Sequence, residues 1–172
     1  MTDVTAELVR ALAERGWRAA VAESLTGGAL AAEIVRIPGA SEVFSGGIVA
    51  YATELKHTLL GVDFGLLAVH GPVDAEVARR MADGVRRAAA LDGLPAELGI
   101  ATTGVAGPDP QDGHPPGTVF VGIASPEGVR SVALELAGDR DAIRRETVRR
   151  AIEEARSELG PSVSESSVER AE

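Results

Sequence analysis

Residues 18–37 read RAAVAESLTGGALAAEIVRI, an apolar run short enough for one buried strand that passes through Ser24, Thr26 and a glycine pair into a segment with helical periodicity. A strand that enters a helix through a glycine-rich turn opens a β–α unit. In open α/β sheets such turns lie at the carboxyl ends of the strands, where ligands bind and helix N-termini present free N–H groups. From these residues alone Ser24 has three open readings: a helix cap, part of a phosphate cradle, or a nucleophile. A serine or threonine before a helix most often caps it. Thr26 is the better-placed cap, which leaves Ser24 free for other work.

The flanking sequence continues the alternation. Upstream, residues 4–15 place Leu8, Ala11 and Leu12 at helical spacing, with Gly16 as the C-cap. Downstream, the helix after residue 28 stops at Pro38-Gly39, FSGGIVAYA (44–52) is β-rich, and TELKHTLLGV (53–62) resumes a helix that Gly61 ends. Residues 70–93 are predicted to contain the longest helix, opened by Asp74 and striped by Val77, Met81 and Val85. ELGIATT (97–103) reads as a central strand, and GVAGPDPQDGHPPG (104–117) is too rich in glycine and proline for a regular element. TVFVGIAS and VRSVALEL form a hairpin about Pro126-Glu127-Gly128, and residues 138–159 form a final helix. The expectation is a single domain over residues 1–160, a three-layer α/β/α sandwich around a mixed, mostly parallel sheet, followed by a polar, frayed tail at 161–172.

Composition narrows the function classes. With no cysteine, disulfides, thiolate metal sites and cysteine nucleophiles are excluded. A formal net charge of −9 argues against a broad nucleic-acid surface, which needs clustered Lys and Arg. No stretch approaches the ~20 apolar residues of a membrane span, and the N-terminus has no basic head before an apolar core. A cytoplasmic protein is expected, with no membrane partner. No HExxH motif or His/Asp cluster appears, so no metal is expected, and Asp109 and Asp112 read as exposed loop residues.

Three strand ends carry glycine and small polar residues: 22–28, 44–51 and 102–107. A nucleophilic serine needs a base. His57, His70 and His114 sit in polar or turn contexts without an ordering carboxylate pattern, so a Ser-His-Asp triad has no support. Lysine is the other option, and YATELK puts Tyr51 at a strand end and Lys56 in the first turn of a helix. Lysine acts as a base only when neutral, which requires burial or neighbouring positive potential. A surface helix lysine and a half-buried strand tyrosine are the commoner readings of these two residues. Against them, the chain has very few lysines among its 17 basic residues. TTGVAGP (102–108) offers backbone N–H groups, and the Thr103 hydroxyl, to an oxyanion. Arg140 and Arg144, four apart on one helical face, either clamp a phosphate or form a solvated basic face balanced by Glu146 and Glu153.

Taken together, AESLTGG, IPGASEVFSGGIVAYATELKHTLLGV, TTGVAGPDP with PPGTVFVGIA, and GDRDAIRRETVRRAI closely resemble the CinA C-terminal domain family, the nicotinamide-nucleotide amidohydrolases, over about residues 8–159. The resemblance implies a three-layer α/β/α fold and hydrolysis of the carboxamide of nicotinamide mononucleotide to nicotinic acid mononucleotide and ammonia, without cofactor. It implies Ser24 as nucleophile, Lys56 as its base, Tyr51 as the hydroxyl that connects or orients them, and Thr103 as an oxyanion-side donor. Substrate contacts are expected from Thr26, Gly27, Gly28, Gly46, Gly104 and Gly107, with Arg140 and Arg144 on the phosphate side. A homodimer is expected from the resemblance and from the apolar strands 44–52 and 118–125. The competing reading is a nucleotide- or partner-binding module of the same fold without turnover. A serine together with a potential base weighs against it. The chain departs from the family at Leu25, usually cysteine, and at Pro72 and Asp74, commonly a small residue and serine.

Overall fold

The order of elements along the chain follows directly from the alternation of apolar periods. The computed structural model describes residues 3–160; the expected tail at 161–172 lies outside them. Helix α1 (Val4–Arg15) is capped by the Asp3 carboxylate and ends at Gly16, whose φ of 65° is left-handed. Strand β1 (Ala19–Glu23) leads to α2 (Ala29–Val35), the short α3 (Ala40–Val43) and β2 (Phe44–Val49). Then come α4 (Thr53–Thr58), α5 (Phe64–His70), α6 (Ala75–Ala88), β3 (Leu98–Gly104), the hairpin β4 (Thr118–Ser125) and β5 (Gly128–Glu135), and α7 (Arg140–Glu158).

The five strands form one sheet in the order β2-β1-β3-β4-β5. β1 pairs in parallel with both β2 and β3, whereas β4 is antiparallel to β3 and β5. The α/β/α sandwich with a mixed sheet is therefore as expected, its parallel part being the β2-β1-β3 core. Glu23, Val49 and Gly104 end these three strands at the same edge, which gathers the three glycine-bearing turns.

Side-chain size divides the sheet into two different faces. Val21, Leu98, Ile100, Val119, Val121 and Ile123 point to one side, where they pack with α1, α2 and α7. Ala20, Ala22, Ala101 and Ala124 point to the other, under α6. Glycine completes this second face: a Cβ at Gly99 would stand 2.0 Å from the Ala82 carbonyl oxygen, and one at Gly122 2.1 Å from that of Ala78. The small face lets the α6 backbone lie directly on the sheet, and the large face fills the gap to α1 and α7.

Two expectations need correction. The longest helix is α7, with 19 residues, not α6, with 14. Its even scatter of arginine and glutamate, joined in i,i+3 and i,i+4 pairs such as Arg149 with Glu146 and Glu153, conceals the buried stripe of Ile143, Thr147, Val148, Ala151, Ile152 and Ala155. The helix predicted to run to Gly61 stops at Thr58, and a separate helix, α5, capped by Asp63, follows it. No helix among the described residues is long and apolar enough to cross a membrane.

Candidate active site

At the common edge of the three parallel strands, Ser24 follows the last residue of β1, and Lys56 projects from α4 to meet it. Lys56 is the only lysine in the sequence, and it is 1% exposed. Its Nζ lies 3.0 Å from Ser24 Oγ and donates to the carbonyl oxygen of Ala50 at 2.8 Å. Burial lowers its pKa from the ordinary lysine value to about 8. Desolvation penalises the ammonium and not the amine, so it is the fold that makes the neutral base accessible. In the neutral state Nζ keeps its bond to Ala50 and accepts the hydroxyl proton of Ser24. With a pKa near 8 about a tenth of the protein holds a neutral Lys56 at pH 7, against fewer than about one molecule in a thousand for a solvated lysine.

That shift is open to direct measurement. A sample labelled with 13C-lysine is expected to give one ε-carbon resonance titrating near pH 8, because the chain has a single lysine. A midpoint near the ~10.4 of free lysine would show the side chain to be solvated.

The pocket in front of this pair has a volume of about 150 Å³ and is lined by Ser24, Leu25, Tyr51, Lys56, Thr103 and Arg140 among others, with Gly104–Gly107 as one wall. Within it the expected residues divide. Tyr51 is 60% exposed, and its hydroxyl accepts from Arg140 Nη2 at 3.0 Å, with no hydrogen bond to Ser24 or Lys56. It stands at the rim and is not a link between the two. Thr103 is buried and donates its hydroxyl proton to the Pro72 carbonyl at 2.6 Å, so in this structure it is not the oxyanion donor expected of it. The N–H groups of Leu25, Ala106 and Gly107, all pocket residues, take no partner among the described residues.

Arg140 reaches the pocket, donating to the Gly107 carbonyl at 2.7 Å as well as to Tyr51. Arg144 does not line it. Its guanidinium donates to the carbonyls of Leu25 and Thr26, each at 3.0 Å, and so ties α7 to the Ser24 turn. The two arginines share a helical face but not their partners.

Three further expectations are corrected by placement. Thr26 is fully buried with its hydroxyl 2.8 Å from that of Thr102, so its side chain does not cap α2, and it does not line the Ser24–Lys56 pocket. Gly27, which is exposed, and Gly28 are not in the pocket lining, and Gly28 takes a left-handed conformation that begins α2. Gly46 pairs with Ala20 in the middle of β2, away from the edge where Ser24 lies.

Sequence reasoning passed over Glu23, the middle residue of AES. Its carboxylate is 1% exposed and accepts from the N–H groups of Gly28, Leu30 and Ala31 at 2.9, 3.0 and 2.8 Å. The missing cap of α2 is thus supplied from the end of β1, and the signal was an acidic residue closing an apolar run just before a helix whose N-cap position is glycine. Asp109, Gln111 and Thr53 also line the pocket. None of the three histidines does; His57 instead binds the Val62 carbonyl through Nδ1. Two of the three positions read as departures from the family are absorbed locally: Leu25 packs in the core and Asp74 caps α6 through the N–H groups of Glu76 and Val77.

A larger groove of about 780 Å³ lies between α1, α2 and α7, floored by Val4, Ala29, Val148 and Ile152. Its one hydroxyl–carboxylate contact, Thr5 Oγ1 to Glu33 at 2.7 Å, is no match for the serine–lysine pair, because Arg36 beside Glu33 lowers the pKa of that carboxyl and makes it a weaker base.

Fold and geometry together define a three-layer α/β/α domain with a serine–lysine pair at the carboxyl edge of its parallel strands. The chain belongs to the CinA C-terminal domain family, whose model matches residues 1–159. It is 51% identical over 133 residues to a CinA-like protein of Frankia casuarinae, covering 77% of this chain and 30% of that one. To a putative competence-damage inducible protein of Geobacillus kaustophilus it is 48% identical over 139 residues, 80% of this chain and 32% of that one. It thus spans about a third of the length of these curated relatives. Among solved structures, a CinA superfamily protein of Klebsiella pneumoniae superposes with a TM-score of 0.84 at 32% identity, covering 91% of this chain and 95% of that one. A competence or damage-inducible protein of Enterobacter asburiae gives 0.85 at 27% identity, covering 91% and 96%.

Proposed function

We propose that this chain is an amidase that hydrolyses the carboxamide of nicotinamide mononucleotide to nicotinic acid mononucleotide and ammonia. The observation that carries the proposal is the contact between Ser24 Oγ and a buried lysine amine whose pKa is lowered to about 8. The substrate comes from the family resemblance.

Neutral Lys56 takes the Ser24 proton as Oγ attacks the amide carbon. The donors for the developing oxyanion are the pocket-lining backbone N–H groups of Leu25, Ala106 and Gly107, which have no partner among the described residues. As the intermediate collapses, the C–N bond breaks and Lys56 returns the proton to the leaving nitrogen, which departs as ammonia. Water then attacks the acyl-enzyme ester with Lys56 again as base, releasing the carboxylate and restoring Ser24. The pocket is smaller than the ~300–1,000 Å³ typical of small-molecule sites, which suits entry of the carboxamide-bearing ring with the ribose and phosphate at the mouth. Arg140 and Tyr51 stand there.

The deciding experiment is ammonia release from nicotinamide mononucleotide by the purified chain beside its Ser24→Ala variant. Equal release by the two sinks the proposal. For the phosphate, Arg140→Ala is expected to raise KM for the mononucleotide by ~10-fold while leaving the riboside within about twofold, since one charge-assisted hydrogen bond is lost. Arg144→Ala, which loosens the Ser24 turn, is expected to slow both substrates alike. An unchanged mononucleotide-to-riboside ratio in Arg140→Ala would place the phosphate elsewhere.

A further inference from the structure

The geometry points to Glu23 as the positioning residue that holds Ser24 and Lys56 in register; this rests on the reading of that pair as nucleophile and base. Among the described residues Glu23 is bonded to both halves of the pair's support. Its carboxylate accepts from Gly28, Leu30 and Ala31 and so fastens the far end of the Ser24 turn back to the strand end from which the turn leaves. Residues 24–28 are thereby closed into a loop anchored at both ends by one side chain and its own backbone. Inside the loop, the Gly27 N–H bonds to the Ser24 carbonyl, and the Ser24 N–H bonds across to Thr102.

The backbone carbonyl of Glu23 serves the other half. It accepts from the Ala50 N–H at 2.8 Å, and the Ala50 carbonyl is the acceptor that holds Lys56 Nζ at 2.8 Å. Nucleophile and base approach from segments 32 residues apart, and Glu23 is where the two lines of hydrogen bonds meet. The carboxylate suits this work because an anion accepts three N–H bonds at a helix start more strongly than a neutral side chain does. An amide in its place has one accepting oxygen and turns an NH₂ group toward N–H donors.

The test compares Glu23→Gln, Glu23→Asp and the control Asp3→Asn, which weakens the cap of α1, far from Ser24, in the full chain. Each is treated with a fluorophosphonate: Ser24 Oγ forms a bond to phosphorus, fluoride leaves, and the proton passes to Lys56. Rate and final extent of labelling are read separately, beside kcat and KM for nicotinamide mononucleotide. Glu23→Gln is expected to label and turn over at least tenfold more slowly, with one label per chain at the end point and KM within about twofold. Asp3→Asn is expected to label at the wild-type rate. In a crystal structure of Glu23→Gln, Ser24 Oγ and Lys56 Nζ are expected beyond hydrogen-bond distance.

Wild-type labelling rate in Glu23→Gln overturns the proposal, and so does a reduced extent with a normal rate in the labelled fraction, the mark of a purely structural role. Should Glu23→Gln not fold, Glu23→Asp, which keeps the charge but withdraws it by one methylene, is judged by the same criteria. If the wild type labels but releases no ammonia, the substrate reading fails and labelling still judges Glu23. If the wild type does not label, the nucleophile reading fails and the crystallographic separation decides, a retained contact in Glu23→Gln overturning the proposal.

Discussion

Ser24→Ala is expected to lower kcat for nicotinamide mononucleotide by at least ~10³-fold with little change in thermal stability. Removing the nucleophile of an acyl-transfer site leaves only the contribution of oxyanion donors and binding, and serine hydrolases that lose one member of their catalytic set fall by factors of this order or more. Stability should change little because Ser24 is only half-buried and its hydroxyl is one of two Lys56 partners, the Ala50 carbonyl being retained. Mononucleotide binding, measured by calorimetry, should persist. Ammonia release in Ser24→Ala within tenfold of wild type would remove Ser24 from the chemistry, whatever the fold.

Lys56→Arg is expected to be nearly as inactive, again by ~10³-fold, although the charge is retained. A guanidinium stays protonated across the accessible pH range and cannot accept the serine proton, and its planar fork is larger than the ammonium it replaces at a site where Lys56 is 1% exposed. In the wild type, kcat/KM should rise with pH through an apparent pKa near 8 as the buried amine loses its proton; the Lys56→Arg profile should lack that limb. Retention of the limb in Lys56→Arg would assign it to another group. The same shift bears on stability. The unfolded chain keeps the ordinary lysine value, so between pH 8 and 10.5 the folded state binds fewer protons than the unfolded one, and stability rises with pH across that window. Below pH 8 the fold carries a buried ammonium at a cost of roughly 3 kcal/mol. The buried Lys56 ammonium therefore works against the fold below pH 8, which fits the proposed role as base better than a packing role.

Much of the architecture was legible because it is written in short-range periods. Strand β1 and the start of α2, the hairpin about residues 126–128, the Gly16 and Asp74 caps and the irregular loop after β3 all follow from spacing and turn chemistry within a few residues. The α7 stripe was harder, because paired charges on its exposed face interrupt the period, and α5 was missed because its single buried residue, Leu67, makes almost no periodic signal. At the site, the nomination of Ser24 and Lys56 depended on their residue types and on the resemblance. Their contact was not readable across a separation of 32 positions.

By itself, then, the sequence determined the β/α alternation, the placing of Ser24 on a glycine-rich strand-end turn, and the supply of a single lysine one helical segment beyond the next strand. These are local properties, set by side-chain period and backbone freedom over a turn or two. Only the tertiary structure decided where each polar group finds its partner. Parallel register brought Glu23, Val49 and Gly104 to one edge and left Gly46 behind it. The packing of α7 gave Arg144 to the Leu25 and Thr26 carbonyls and Arg140 to the pocket, and the approach of Pro72 took the Thr103 proton. The physical reason is that a buried polar group must be satisfied by whatever donor or acceptor the fold brings near it, and that neighbour, 30 to 120 residues away, has no trace in local sequence.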